Sequence, residues 1–157
     1  METMITCWTN EGATRAIAAS ELQFRPTAYG VVMHEDSLLV IHDARGRYCF
    51  PGGGIEKGET MPTALRREFQ EEVGMAVTVG EVLHVQESFF YFNPEHVAWH
   101  ALLVFFRGEV SQTTSDPTWD AQHPDAERWS WVPLATLREE QFHESLRSAA
   151  RALRLIP

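Results

Sequence analysis

The chain has 157 residues, 44% hydrophobic and 22% charged, which suits one domain with a core of its own. A formal net charge of −9, with Lys57 the one lysine among 13 basic residues, argues against gripping duplex nucleic acid or an anionic membrane through general electrostatics. Cys7 and Cys49 have neither metal-site nor disulfide spacing, no run reaches membrane-spanning length, and the first residues do not read as a leader, so a cytoplasmic setting is expected.

Residues 1–26 are mixed and read as an extension, equally a flexible arm, a strand or a dimer contact, ahead of a domain over 27–157. The expected assembly is a monomer or homodimer. Ala28–Met33 and Leu38–Ile41 read as a hairpin turning near His34–Ser37. "ARGRYCFPGGG" reads as a loop and turn, with Arg45 and Arg47 exposed and able either to touch phosphates or to be solvated loop cations. Thr60–Val73 is a predicted helix: Thr60 caps it, Pro62 suits its first turn and Gly74 stops it. Val77–Phe92 reads as one strand or a bent pair, Asn93–Glu95 as a turn, and the apolar Trp99–Phe106 as a central strand covered on both faces.

Ser111–Ala126 is polar and long for a connection, hence a candidate substrate loop, with Trp119 able to stack on substrate. "ERWSWVPL" reads as a short strand and turn, and Ala135–Leu155 as a C-terminal helix. Of the aromatic run Phe89, Phe90, Tyr91 and Phe92, at least two are expected in the core and the others could stack a base. Strands on either side of a helix, then a closing helix, predict an α/β fold with a mixed sheet between helices.

The chemistry concentrates behind the glycines Gly52–Gly54. Glu68, Glu71 and Glu72 stand at i, i+3 and i+4 and so share one face of the predicted helix, beside an apolar stripe of Leu65, Phe69 and Val73. Ala64 lies on the carboxylate side one turn earlier and leaves room for the glycine backbone to approach. Carboxylates crowded in this way repel one another unless a cation joins them, and hard oxygen ligands on a rigid helix suit Mg²⁺ or Mn²⁺. Bound cations would then attract a phosphate chain despite the acidic balance. Taken alone, the cluster also fits a solvated acidic helix face.

Read as a pattern, Gly53, Glu59, Arg67-Glu68-Phe69, Glu71-Glu72 and Gly74-Met75 are separated by five, seven, one and one residues. This resembles the signature box of the Nudix hydrolases, with Phe69 and Met75 at positions more usually Ile, Leu or Val. The resemblance implies a Nudix-type α/β/α sandwich and a Mg²⁺-dependent pyrophosphohydrolase, with Mn²⁺ as a substitute. Such enzymes cleave a nucleoside diphosphate linked to another group, by attack of water on phosphorus.

Matching positions would make Glu68, Glu71 and Glu72 metal ligands, one of them also the base, with the Gly52 carbonyl as a further ligand. Glu59 and Arg67 would brace the site. A ligand from outside the box is expected from Glu87 first, with Glu95, Glu127 and His100 as alternatives. The acidic surface favours a small nucleotide partner, a nucleoside triphosphate before dinucleoside polyphosphates, ADP-ribose or nucleotide sugars. Tyr91 is a possible counterpart of a tyrosine that marks the dinucleoside polyphosphate enzymes. The reading from another class is a nucleotide-binding module without catalysis.

Overall fold

The computed structural model describes residues 1–115, Trp119, Gln122 and residues 128–157. Their elements run β1 (Met4–Thr9), β2 (Thr14–Ala18), β3 (Leu22–His34), β4 (Ser37–His42), β5 (Tyr48–Cys49), β6 (Gly52–Gly54), α1 (Met61–Val73), β7 (Val77–Phe92), β8 (Val97–Val110), β9 (Trp129–Pro133) and α2 (Arg147–Ala152). The main sheet has the order β2-β1-β7-β8-β3, with β6 added along β3; β4 continues from β3 and pairs with β5 and β9. Pairings β1–β7 and β3–β8 are parallel, and the rest are antiparallel.

The apolar run of β8 is buried from both sides. Ala101, Leu103 and Phe105 join a cluster with Phe50, Leu137, Phe142 and Leu146, while Val104 and Phe106 join Leu65, Phe69 and Val73 of α1. Alternate side chains of one strand thus serve two cores, with α1 on one face of the sheet and the C-terminal segment on the other, an α/β arrangement. α1 is capped as its ends predict: the Thr60 side chain accepts from the Thr63 N–H, and Gly74 is left-handed at φ 63°. The β3–β4 hairpin turns through Glu35 and Asp36, β7 is one strand with irregular register near Val82, and Asn93–His96 forms the turn into β8.

Of the alternatives for residues 1–26, the structure shows strands: β1, β2 and the start of β3 are paired into the sheet, and β3 runs across residue 27. Two expectations need correcting. The glycine stretch is a short strand laid antiparallel on Thr27–Tyr29. The C-terminal helix shrinks to Arg147–Ala152, preceded by single helical turns at Leu134–Thr136, Glu139–Gln141 and Glu144–Leu146. Between those turns Leu137 and Phe142 are extended and fully buried, and the His143 N–H donates to the Tyr48 carbonyl. Burying those two side chains at separate points under the sheet outweighs the helical periodicity of the stretch.

Much of the Ser111–Ala126 expectation, and Glu127, lie outside the described residues. No described helix is long and apolar enough to cross a membrane.

α1 sits so close to β3 that a Cβ on Gly30 would lie 2.6 Å from the Phe69 ring, which is fully buried. Gly30→Ala is therefore expected to cost about 1–3 kcal/mol, the usual penalty for overpacking a filled core. Urea unfolding of the variant measures it; a loss too small to detect would mean that α1 can move outward freely.

Candidate active site

Arg67 of α1 ties the helix to β6 and to Glu59. Arg67 donates from Nε and from its second terminal nitrogen to the two oxygens of Glu59, at 2.7 and 3.0 Å. Its remaining terminal nitrogen reaches Glu68 at 2.8 Å and Glu71 at 3.3 Å, and the second also reaches the Gly54 carbonyl at 3.1 Å. Glu59 is fixed further by the Glu56 N–H at 3.0 Å. The Arg67 hydrogen bonds hold the Glu59 carboxyl down at about 2, and Glu59 in turn raises the Arg67 guanidinium.

On the other side of the glycine strand, Glu72 accepts the Gly52 N–H at 2.8 Å. Only a glycine fits at position 52: φ is 138°, and a Cβ would lie 2.2 Å from the Ala28 carbonyl oxygen. A Cβ on Gly53 would come within 2.9 Å of the Glu68 carboxylate. The absence of side chains on β6 thus lets its backbone lie directly against the acidic face of α1.

Glu68 and Glu72 line a cavity of about 760 Å³, together with Gly52–Gly54 and Arg67. This is within the roughly 300–1,000 Å³ of small-molecule sites. Its floor is the sheet, with Arg25, Tyr29, Ser88, Phe90, Trp99 and Ala101 facing in. Glu71 is over half exposed and is tied to Arg67 without lining the cavity. Among the described residues no three His, Cys, Asp or Glu side chains close into a metal cage. Arg67 pairs with Glu68 and Glu71, and Glu72 accepts the Gly52 N–H, so the three carboxylates are held by different partners.

Several expected residues stand elsewhere. Glu87, 62% exposed, pairs with His100 at 3.0 Å, and neither lines the cavity. Strand alternation explains this: Ser88 and Phe90 point in, so Glu87 points out. Of the proposed ligands outside the signature, Glu95 does line the cavity. Arg45 makes a two-pronged contact with Glu144, at 3.2 and 2.7 Å, and Arg47 donates to the Glu140 carbonyl. Both arginines anchor the C-terminal segment and neither lines the cavity. Trp119 is buried with its ring against Gly74, also outside the cavity lining.

The aromatic run divides by the pleat. Phe90 and Phe92 line the cavity, whereas Phe89 packs on His100 and Tyr91 is buried, with its hydroxyl 3.2 Å from His96 Nδ1.

Arg25 is the residue that sequence reasoning missed. It lines the cavity beside Gly54, its guanidinium lies 4.8 Å from the Trp99 ring centre, and it is in no ion pair among the described residues. No local signal marked it: the strand read from the sequence starts at Ala28, and only the pairing of β3 with β8 and the glycines extends it back through Arg25. His143 also lines the cavity, and burial lowers its pKa.

The Arg67–Glu59 pair has a pH signature. A carboxyl lowered from 4.5 to about 2 contributes stability that is complete above 4.5 and is lost as the pH falls towards 2. Glu59→Gln is expected to melt below the parent at pH 7, with the gap closing as the pH falls from 4.5 towards 2. Thermal melts of both proteins across that range check it; a gap constant with pH would mean that the charge on Glu59 adds nothing.

The chain matches the NUDIX domain over residues 23–153. Its relatives include the RNA pyrophosphohydrolase of Bartonella clarridgeiae, 32% identical over an alignment of 99 positions that covers 55% of this chain and 57% of that protein. The RNA pyrophosphohydrolase of Roseobacter denitrificans is 26% identical over an alignment of 133 positions, which covers 76% of this chain and 83% of that one. The chain thus spans little more than half the length of the Bartonella protein.

Among solved structures, the MutT NUDIX hydrolase from Burkholderia pseudomallei superposes with a TM-score of 0.61 at 20% identity, covering 86% of this chain and 99% of that one. An ADP-ribose pyrophosphatase from Streptococcus suis gives 0.60 at 17% identity, covering 83% and 87%. At such identities these likenesses concern the fold. With the family match running through β3, the whole signature on β6 and α1, and the C-terminal segment, the chain belongs to the NUDIX domain family.

Proposed function

We propose that the protein is a divalent-metal-dependent pyrophosphohydrolase that cleaves the phosphate chain of a nucleoside triphosphate. The observation that carries this reading is the meeting of Glu68 and Glu72 with the bare backbone of β6 at the wall of a nucleotide-sized cavity. The donor set fits Mg²⁺ or Mn²⁺. It offers carboxylate oxygens and the Gly52 carbonyl, and a hard cation takes its remaining oxygens from water and phosphate. Glu68, Glu72 and the Gly52 carbonyl would hold the ion, with Glu71 at the rim. When bound, it neutralises phosphate oxygens and lowers the pKa of a water.

The chain's own residues supply the rest. Glu68 or Glu72 accepts the proton of the attacking water. Arg67 fixes the carboxylates in place, and the two-pronged contact with Glu59 sets the plane of its guanidinium. Arg25 offers an uncommitted cation for a phosphate oxygen. Phe90, Phe92 and Trp99 offer ring faces for the base.

A second reading, hydrolysis at the 5′-triphosphate end of RNA, is favoured by the names of the relatives. The net charge of −9 weighs against it, since a polyanion gains little from such a surface. The deciding experiment is a panel of nucleoside triphosphates, 5′-triphosphorylated RNA, dinucleoside polyphosphates, ADP-ribose and nucleotide sugars, each with Mg²⁺ and with Mn²⁺, products resolved by chromatography. Nucleoside monophosphate and pyrophosphate from the triphosphates, abolished by chelator, is the expected result. Cleavage of RNA ends alone would favour the second reading, and no cleavage at all would favour a binding module.

Two substitutions sharpen the reading. Glu72→Gln keeps an oxygen for the Gly52 N–H and is expected to fold normally while turnover falls at least about 100-fold. Near-normal turnover would remove Glu72 from the reaction. Arg25→Ala is expected to raise KM about tenfold or more, as loss of a charge-assisted hydrogen bond implies, and an unchanged KM would leave Arg25 as packing for Trp99.

A further inference from the structure

The N-terminal hairpin lies ahead of the region matched by the family, residues 23–153, yet it reaches the cavity. The order β1-β7-β8-β3 puts β1 and the carboxylates on opposite flanks of the cavity floor. At the β1 flank the turn Thr9–Ala13 is built rigidly. The Thr9 N–H donates to the Ala13 carbonyl, the Thr9 hydroxyl accepts the Ala13 N–H, and Gly12 sits left-handed at φ 78°.

Three links dock this turn. The buried His143 takes the Ser145 N–H at Nδ1, so its proton is on Nε2, which donates to the Thr9 carbonyl at 3.2 Å. The Asn93 N–H, in the β7–β8 turn, donates to Asn10 Oδ1 at 3.1 Å, and the Asn93 side chain bonds Glu11. Gly12 packs against the paired Arg45 and Glu144, where a Cβ would lie 2.4 Å from the guanidinium.

The bond from Asn93 fixes the amide of Asn10: with the oxygen accepting, the Nδ2 donors are left over. Asn10 lines the cavity, and Nδ2 has no partner among the described residues. We propose that the β1–β2 turn is the end wall of the substrate site: Asn10 Nδ2 donates to an oxygen acceptor on the nucleoside end of the substrate, and the docked turn limits the substrate to single-nucleotide length. The proposal rests on the pyrophosphohydrolase reading, and it adds what the family match does not cover. It also gives Arg45, Glu144 and His143 a common role, to hold a wall that strand pairing alone holds weakly, since β1 meets β7 only at Trp8–Phe90 and Thr9–Tyr91.

The test uses the full chain and two variants. Asn10→Asp keeps an acceptor for Asn93 and loses the free donors, and Asn10→Ala loses both. Steady-state kinetics are measured on a nucleoside triphosphate and on a 5′-triphosphorylated trinucleotide. The parent is expected to favour the single nucleotide by about 100-fold or more in kcat/KM, the scale a shaped site can supply. Both variants are expected to raise KM for it by about 5–20-fold with kcat nearly unchanged, because the lost contact is remote from the reacting phosphorus.

Equal use of the trinucleotide by the parent, or an unchanged KM in both variants, overturns the proposal while leaving the pyrophosphohydrolase reading intact. If nothing is hydrolysed, that reading fails and the wall is judged by calorimetry with a methylene-bridged triphosphate. Weaker binding by both variants than by the parent keeps the wall; equal binding, or none, removes it.

Discussion

Arg67 is the point on which the site turns. Its guanidinium joins a residue before α1, two residues on α1 and the backbone of β6, and no other described side chain connects these three pieces. Guanidinium is suited to this because its donors lie in a rigid plane and it stays charged at every relevant pH. The bidentate contact with Glu59 sets the plane, and the rest of the fork then meets Glu68, Glu71 and the Gly54 carbonyl. A lysine would carry the charge without the geometry.

The glycines on β6 make this arrangement possible. A side chain at Gly52 would collide with the backbone of β3, and one at Gly53 would collide with the Glu68 carboxylate. The strand therefore lies between β3 and α1 with its backbone groups offered to both. Phe69 and Leu65 press α1 onto the sheet from the apolar side, and their burial holds the carboxylate face at a fixed height above the cavity. Acidic groups that would repel each other on a free helix are thus kept in place by core packing on one side and Arg67 on the other.

The opposite flank is built by different means. There the walls are turns and single helical turns, held by hydrogen bonds from His143, Asn93 and Arg45. One flank of the cavity carries Glu68, Glu72 and Arg67, and the other carries aromatic rings and Asn10 beside Glu95. The family match covers the first flank and begins after the hairpin that completes the second.

Local pattern was enough for α1, its caps, the β3–β4 hairpin and the buried strand β8. Each depends on spacing along the chain, and helical and strand periods are properties of the backbone itself. The place of Arg25, the outward turn of Glu87, the commitment of Arg45 to Glu144 and the burial of Trp119 against Gly74 depend on which strands become neighbours.

The C-terminal stretch shows the limit most clearly. Its helical pattern yields to Leu137 and Phe142, whose burial requires extended backbone at two points. The sequence by itself determined the acidic helix and the nearby glycines that leave room for a backbone to approach it, because both are written in short-range spacing. Only the tertiary structure decided which residues close the cavity around them, because those contacts join β1, β3, β7 and the C-terminal segment across most of the length of the chain.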